Sequence, residues 1–410
     1  MIAPFRRYPS AAYQQVYQGT TLRDAWKLVR KGGPAAGVDG QTLDEFVAVA
    51  DRQLHQIEAD LRNRRYRFLP VRRIFVAKIT GGRRRLGIPA IRDRVVEQAI
   101  RLVLEPVVSR GFAPVSFAYC SRRGVHQAID RLLQQRREGN LWIVESDVQD
   151  FFDTIRHPVL LGLLYGLAVD EALIGLVADF LGAGSRLRGR WFASRRGVPQ
   201  GSPLSPMLAN LYLTPFDHAL VKQNYELIRY ADDLVICCGS RHEAQRAQEE
   251  MTRQLGLLQL SVNGKKTAIV DSRQKSFEFL GFVIGPHSLR PNEASLERFC
   301  QAIDDVLGVW QAGPVAVLVQ DLNRVIRGFG QHYQRCGAVE LFRELDDFVY
   351  RQVMKRFKTS RLVLRGLDGL VLLRSYLGWA GRPDVGAEPA VDFGPYGSAI
   401  RRPLQKRRKR

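Results

Sequence analysis

Apolar residues recur along this chain with two periods, and the switches between them mark out the elements. After the loop "KGGPAAGVDG", Leu43, Phe46, Ala50, Leu54, Ile57 and Leu61 fall at helical spacing. Thr42 and Glu45 precede them as a T-x-x-E capping box, so one long helix is expected to start there. The period then shortens. "RRIFVAKI" and "RRRLGIP" read as strands joined by the turn "TGG", a hairpin loaded with cations. "RDRVVEQAIRLVLEPVV" is helical again, and "LWIVESDV" reads as a strand running into "QDFFDTI". Helical patterns fill residues 158–182. "RRGVPQGSPLSPMLANLYLTPF" is a Gly/Pro-rich loop opening a helix, with Ser205 as its cap and Pro206 in its first turn. "YELIRYADDLVICC", mostly apolar and β-branched, reads as a pair of buried strands. A helix from Arg241 to Leu257 leads to two further strand signals, "NGKKTAIV" and "SFEFLGFVI".

After Pro291 the pattern is helical throughout. Leu296, Phe299, Ile303 and Trp310 mark one amphipathic helix, Leu318, Leu322, Ile326, Phe329 and Tyr333 a second, and Leu341, Phe342, Leu345, Val349 and Met354 a third. The last thirty residues are rich in Gly and Pro and end in "RRPLQKRRKR", which reads as a disordered basic tail. No internal repeat is visible.

Charge changes the picture. The 410 residues include 62 Lys and Arg against 41 Asp and Glu, a net charge of +21 and a pI near 10.2. Such a field favours a polyanionic partner, nucleic acid first and an anionic membrane surface second, although it also serves solubility. No apolar run approaches the roughly 20 residues of a membrane helix. "MIAPFRRYPS" has no signal-peptide core. Cys120, Cys237, Cys238, Cys300 and Cys336 form no C-x-x-C pair, so free, mostly buried thiols in a reducing compartment are expected. Together these readings place the protein in the cytoplasm.

Asp232 and Asp233 stand side by side inside the apolar run. A buried carboxylate costs several kcal/mol unless a positive partner offsets it. Aspartate is common in turns, so "YADD" also fits a surface hairpin. The flanks "ELIRY" and "LVICC" favour burial and point to a metal ion at the hairpin tip. Asp147, ending the run "IVESD", supplies a second carboxylate. Carboxylates so paired can hold two magnesium ions about 4 Å apart for phosphoryl transfer. Magnesium takes one or two carboxylates plus substrate phosphates, so no His or Cys ligand is needed.

The strand bearing Asp147 and the "YADD" hairpin resemble motifs of reverse transcriptases. Further blocks follow in the family's order: "RRLGIPAIRDRVVEQAIRLVLEP", "GVPQGSPLSPMLANLYL", "GKKTAIV" and "FEFLGF". Upstream, "GPAAGVDGQTLDEF" looks like the N-terminal extension of group II intron enzymes. Downstream, "LNRVIRGFGQHY" and "FRELDDFVYRQVMKRF" look like their maturase or thumb domain. The resemblance covers roughly residues 30–360, and the ordered set is far more specific than any one motif. It is to a bacterial group II intron-type reverse transcriptase and maturase without the paired Cys and His of an HNH endonuclease domain.

The resemblance implies an α+β, right-hand polymerase fold with fingers, an antiparallel palm sheet packed on helices, and a three-helix thumb. On that pattern residues 1–66 form the N-terminal extension and start of the fingers, 67–140 the fingers, 141–290 the palm with its loop and helix 197–214, 291–378 the helical thumb and 379–410 a flexible basic tail. It implies primer extension with deoxynucleotides on an RNA template. Asp147, Asp232 and Asp233 match the catalytic acids, and with the Val148 carbonyl they would hold two Mg²⁺ ions, with Mn²⁺ as a substitute. Lys78 and Arg84 match residues that grip the triphosphate, where either alone would read as a solvated charge. Phe152 matches the aromatic residue that excludes a 2′-hydroxyl, or else packs in the core. Gln200 lies in the nucleotide-facing loop, or in a loop that merely opens a helix. Lys266 is the candidate for protonating pyrophosphate, with Lys265 as its rival. Tyr230, Gly201, Arg122 and Arg123 would meet primer or template.

Partners so implied are an RNA template, a DNA or RNA primer, dNTPs and a structured intron or other non-coding RNA, in a prokaryotic, nucleoid- or ribonucleoprotein-associated setting without a membrane; the oligomeric state stays open. Two alternatives remain: a maturase that chiefly assists splicing, and a domesticated enzyme of host defence or DNA repair. The chain departs from the family pattern at Arg85, where proline is usual, at Cys120 and Ser121 in the template-binding loop, and at Asp150, which adds negative charge near the nucleotide.

Overall fold

The structure is a computed structural model, and it describes residues 12–77, 83–167, 169–310, 314–357 and 370–373. Lys78, the tip of the first hairpin and the 379–410 tail lie outside the described residues. The described residues fall into two compact units, one ending at Ile269 and one beginning at Val270. The class is α+β, as expected from the sequence.

The first unit opens with α1 (Ala12–Val16), α2 (Gly19–Val29), α3 (Leu43–Ala48) and α4 (Ala50–Arg62). Thr42 forms the expected capping box with Glu45. The single helix expected from that point is in fact two. Val49, at φ −128° and ψ 21°, interrupts it, and periodicity conceals the break because both halves bury the same stripe. Phe46 packs on Trp26 with ring centroids 4.6 Å apart, while Leu54, Ile57 and Leu61 are buried along α4.

Next come β1 (Val71–Ala77), β2 (Arg83–Ile88) and α5 (Ile91–Val108). Apolar and buried along most of its length, α5 packs against α1, α2 and α4. Its Arg94 and the β1 residue Arg72 clasp the "KGGPAAG" loop, Arg72 donating to the Ala36 carbonyl at 2.9 and 2.7 Å. Then follow α6 (Val125–Arg137), β3 (Trp142–Asp147), α7 (Phe151–Thr154), α8 (His157–Gly166), α9 (Glu171–Gly182), β4 (Ser185–Leu187), β5 (Arg190–Phe192) and α10 (Ser205–Lys222). Ser205 does not cap α10. Its hydroxyl is buried without a partner, and the Ser202 hydroxyl instead accepts from the Leu204 amide at 3.1 Å.

The unit closes with β6 (Glu226–Tyr230), β7 (Asp233–Cys238), α11 (Arg241–Leu257) and the start of β8 (Ala268–Asp271). One sheet has the order β2-β1-β4-β5, the other β6-β7-β3-β8. In the second, β6, β7 and β3 pair antiparallel, and α11 lays Ala244, Ala247, Met251 and Leu255 into the core beside β3 and β7.

The second unit contains β9 (Phe277–Phe279), β10 (Phe282–Ile284) and β11 (Leu289–Pro291), an antiparallel sheet of order β11-β10-β9. Three helices follow, α12 (Glu293–Val309), α13 (Val315–Tyr333) and α14 (Val339–Phe357). An aromatic chain links α12, α13 and β10, through Phe299–Phe329 at 4.6 Å, Phe329–Tyr333 at 4.7 Å and Tyr333–Phe282 at 4.8 Å, and Phe329–Phe342 at 6.3 Å reaches α14. Trp310, expected within the first helix, is its C-cap, and Val353 rather than Met354 is fully buried near the end of the third. Among the described residues no helix is long and apolar enough to cross a membrane.

Candidate active site

The β6–β7 turn has only two residues, because Tyr230 still pairs with Asp233. Ala231 and Asp232 make the bend, and Ala231 adopts φ +57°, a left-handed conformation that costs a side chain about 1 kcal/mol. The chain is held in it from below. Arg229, in the heart of β6, is fully buried, and its Nη1 donates to the Ala231 carbonyl at 3.0 Å. Its other donors reach Asp217 twice (Nε to Oδ1 2.7 Å, Nη2 to Oδ2 2.6 Å), Asn210 Oδ1 at 3.0 Å and Ser116 Oγ at 2.8 Å. All five guanidinium N–H groups are thereby satisfied, the condition under which a buried charge is tolerated. The network ties the hairpin to α10 and to the segment before α6.

Asp147 ends β3 directly opposite Asp233 in the ladder. Beyond it, the Val148 amide donates to the Asp232 carbonyl at 3.1 Å. A bridge between Val148 and Val262 uses the Asp147 carbonyl and the Gln149 amide, so the Val148 carbonyl is not one of its acceptors. Strand pairing and the turn thus bring three carboxylates to one end of the central strands β7 and β3. Asp233 is the one exposed residue of β7, yet the protein packed around its carboxyl, then the Asp232 charge, pushes it up to about 6. Asp232 is also raised, by burial first and by Asp147 among its neighbours. Lys266 donates to Asp147 Oδ2 at 2.7 Å, and that hydrogen bond raises the ammonium's own pKa. The other oxygen, Asp147 Oδ1, is buried with no partner.

These residues fit a divalent ion completed by substrate. Among the described residues no three His, Cys, Asp or Glu side chains converge as a protein-only metal cage. Magnesium does not require one, since it binds through one or two carboxylates and fills its remaining positions with water and substrate phosphates. The unsatisfied Asp147 Oδ1 and the raised pKa values of Asp232 and Asp233 describe carboxylates short of positive charge.

Residues 76–284 match the family model for reverse transcriptase (RNA-dependent DNA polymerase), and residues 296–364 match the maturase-specific domain of group II introns. The chain belongs to the reverse transcriptases. Protein YkfC of Escherichia coli (strain K12) is 30% identical over 293 residues, covering 62% of this chain and 77% of YkfC. Group II intron-encoded protein LtrA of Lactococcus lactis subsp. cremoris is 30% identical over 225 residues, covering 55% of this chain and 35% of LtrA. A solved partial Cas6-RT-Cas1–Cas2 complex aligns at 25% identity over 60% of this chain and 43% of that one, with a TM-score of 0.37. The enzyme class is RNA-directed DNA polymerase, with the fingers, palm and helical thumb-type segments expected of it.

Around the carboxylates of this reverse transcriptase, Arg84 on β2 is exposed, and its charge acts on Asp232 and Asp233. Phe152 is half-buried, edge-on to Phe151 at 5.6 Å, and its carbonyl accepts from the Val198 amide at 2.7 Å. The Gln200 carbonyl accepts from the Gly87 amide at 2.7 Å, which docks the "VPQGSP" loop on β2. At Gly201, with φ +124°, a Cβ would lie 2.6 Å from the Gly87 carbonyl oxygen, so only glycine fits. Tyr230 is half-buried beside Asp233, and burial raises its hydroxyl pKa. Arg122 is exposed, whereas Arg123 Nη1 is engaged by the Ala113 and Ser116 carbonyls at 2.6 and 2.9 Å. Arg85 lies 3.8 Å from Asp153, an ionic contact that proline could not make.

Two features escaped the sequence reading. One is the Arg229–Asp217 network; an arginine inside the apolar run "ELIRY" was its signal, because such a charge requires a buried partner. The other is Tyr119, half-exposed at φ +54°, whose hydroxyl is raised by burial and then by the Asp232 charge. No pattern in the sequence marks it. Cys237 and Cys238 are buried in β7, and burial raises both thiols, Cys238 to about 12, which suits core packing and not metal or redox chemistry.

Proposed function

We propose that this chain extends a primer 3′-hydroxyl with deoxynucleotides on an RNA template, with Asp147 and Asp232 as its essential acids and Asp233 supporting them. The observation that carries this reading is the placement of Asp147 opposite Asp233 with one of its oxygens buried and unsatisfied. Asp147, Asp232 and the Val148 carbonyl would hold two divalent ions, magnesium or manganese, whose contribution is charge stabilisation at the attacking and leaving oxygens.

The chain's own residues do the rest. Arg84, on the exposed strand facing the acids, grips the triphosphate, together with Lys78, the residue that follows β1 in the sequence. Phe152 presents its ring to the sugar and leaves no room for a 2′-hydroxyl. The Gln200–Gly201 backbone, docked on β2, walls the nucleotide site, and Tyr230 packs near the primer end. Lys266, 2.7 Å from Asp147 Oδ2, neutralises that carboxylate before substrate arrives and is the group assigned to protonate the departing pyrophosphate. Arg122 supports the template backbone.

The direct test is extension of a labelled DNA primer annealed to RNA, with each of the four dNTPs and with ribonucleotides. Template-dependent, alkali-resistant product supports the reading; absence of product from a folded, RNA-binding protein removes it. The maturase-domain match at residues 296–364 favours a second activity, binding of a structured intron RNA to assist its splicing. A splicing assay with Asp232→Asn separates the two, because intron binding should survive loss of the carboxylate.

A further inference from the structure

The β2-β1-β4-β5 sheet carries a second hairpin to which the polymerase reading gives no task. Between β4 and β5, Arg188 and Gly189 are both left-handed, at φ +48° and +82°, the geometry of a two-residue type I′ turn. Asparagine or glycine usually takes the first position. Arginine accepts the strained backbone and puts a charge at the tip. From Phe180 to Phe216 the sequence has five arginines and no acidic residue. Among the described residues, none of those arginines takes part in an ion pair.

Aromatic surface accompanies the charge. Trp191 is 59% exposed and Phe192 43%. Trp191 is nevertheless anchored. A Cβ on Gly184 would meet its Nε1 at 2.9 Å, so the glycine lets the indole lie against the backbone. Arg186 stands opposite Trp191 in the ladder, its Nε held by the Gly189 carbonyl at 3.1 Å. The hairpin is also wired to the catalytic region. β4 pairs with β1, the partner of the Arg84-bearing β2. The chain leaving β5 returns through Gly197 N to Ile155 O and Val198 N to Phe152 O, both 2.7 Å.

Anchored aromatics among unpaired arginines suit unpaired nucleic acid, whose bases stack while its phosphates take the cations. We propose that this hairpin binds the single-stranded RNA template ahead of the copying site, with Trp191 and Phe192 stacking on bases and Arg186, Arg188 and Arg190 contacting phosphates. The proposal rests on the polymerase reading, since it presupposes a template.

The test is fluorescence anisotropy of the full chain on an RNA–DNA template–primer with a blunt end or with a twelve-nucleotide 5′ template overhang. The parent should bind the overhang substrate more tightly. W191A/F192A should remove that gain, roughly a fivefold to hundredfold loss, while leaving blunt-end affinity unchanged. W191F/F192Y should retain most of it. R188S/R190S should lower the slope of log affinity against log salt by about 1.4, and it answers the question even if the aromatic double variant misfolds. An unchanged overhang gain in a normally melting W191A/F192A protein overturns the proposal. So does a variant that alters self-association, or binding to phosphatidylserine vesicles, but not overhang affinity. A parent that binds the overhang through the hairpin yet never extends a primer overturns the polymerase reading instead. A parent that extends while its hairpin variants keep the gain overturns the hairpin proposal alone.

Discussion

Arg229 and Asp217 form a fully buried, two-pronged ion pair, and the same guanidinium holds the carbonyl of Ala231, the residue before Asp232. The geometry of the acidic turn therefore depends on a charge pair on its buried side. Asp217→Ala would strand the guanidinium without its counter-ion and should cost about 3–5 kcal/mol, read as a fall in the chemical unfolding midpoint. Arg229→Met with Asp217→Leu should recover much of that stability. It should not recover extension, because the Ala231 carbonyl still lacks its donor. If the double variant regains both, the pair has no positioning role.

On the proposed function, Lys266 should compete with a metal ion for Asp147, whose Oδ2 it holds at 2.7 Å. Lys266→Met should lower the magnesium concentration needed for half-maximal extension, since the ammonium no longer occupies Oδ2. It should also reduce the maximal single-turnover rate by about a hundredfold, if the same ammonium protonates the leaving group. A metal titration of extension rate reads both effects. An unchanged maximal rate leaves Lys266 with the first role only.

Phe152 should set sugar selectivity. Phe152→Val should narrow the ratio of kcat/KM for dNTP over NTP by roughly tenfold to a hundredfold, mostly through faster ribonucleotide use. Equal losses for both substrates would mean that the ring serves packing against Phe151 alone.

Asp93 should make stability pH-dependent. It is buried in α5 with Tyr66 Oη at 2.6 Å and the Leu69 amide at 3.0 Å, and burial raises its pKa from 3.8 to about 6. A carboxyl whose folded pKa lies above its unfolded value binds its proton more tightly when folded. Its contribution is therefore fully present below about pH 4, is lost as pH rises through about 6, and is flat above that. The parent should lose up to about 3 kcal/mol across this window relative to Asp93→Asn, a difference that unfolding midpoints at pH 4 to 7 would show.

Much of this was legible locally. The Thr42–Glu45 capping box, the limits of α11 and the three C-terminal helices are written in short-range spacing, and the structure reproduces them. The break at Val49 was hidden because its two helices share one apolar stripe. Asp147, Asp232 and Asp233 stood out because carboxylates in apolar strands are costly. Their surroundings were less legible, since they depend on partners far apart in sequence. Lys266 reaches Asp147 across 119 residues, and Arg229 reaches Ser116 across 113. Periodicity carries no information about such distant pairs. Family order named Lys266 and Asp147 separately but not the bond between them, and it missed Arg229 altogether, because that residue passed as part of an apolar strand.

On the proposed function, the Asp147, Asp232 and Asp233 carboxylates make the catalytic site. Single-turnover primer extension on RNA, at saturating enzyme and magnesium, compares the parent with Asp147→Asn, Asp232→Asn and Asp233→Asn, with template–primer affinity measured alongside. Asp147→Asn and Asp232→Asn are expected to abolish extension, and Asp233→Asn to slow it, with affinity within a few-fold of the parent. Extension at the parental rate by Asp232→Asn would mean that these carboxylates are not the catalytic site.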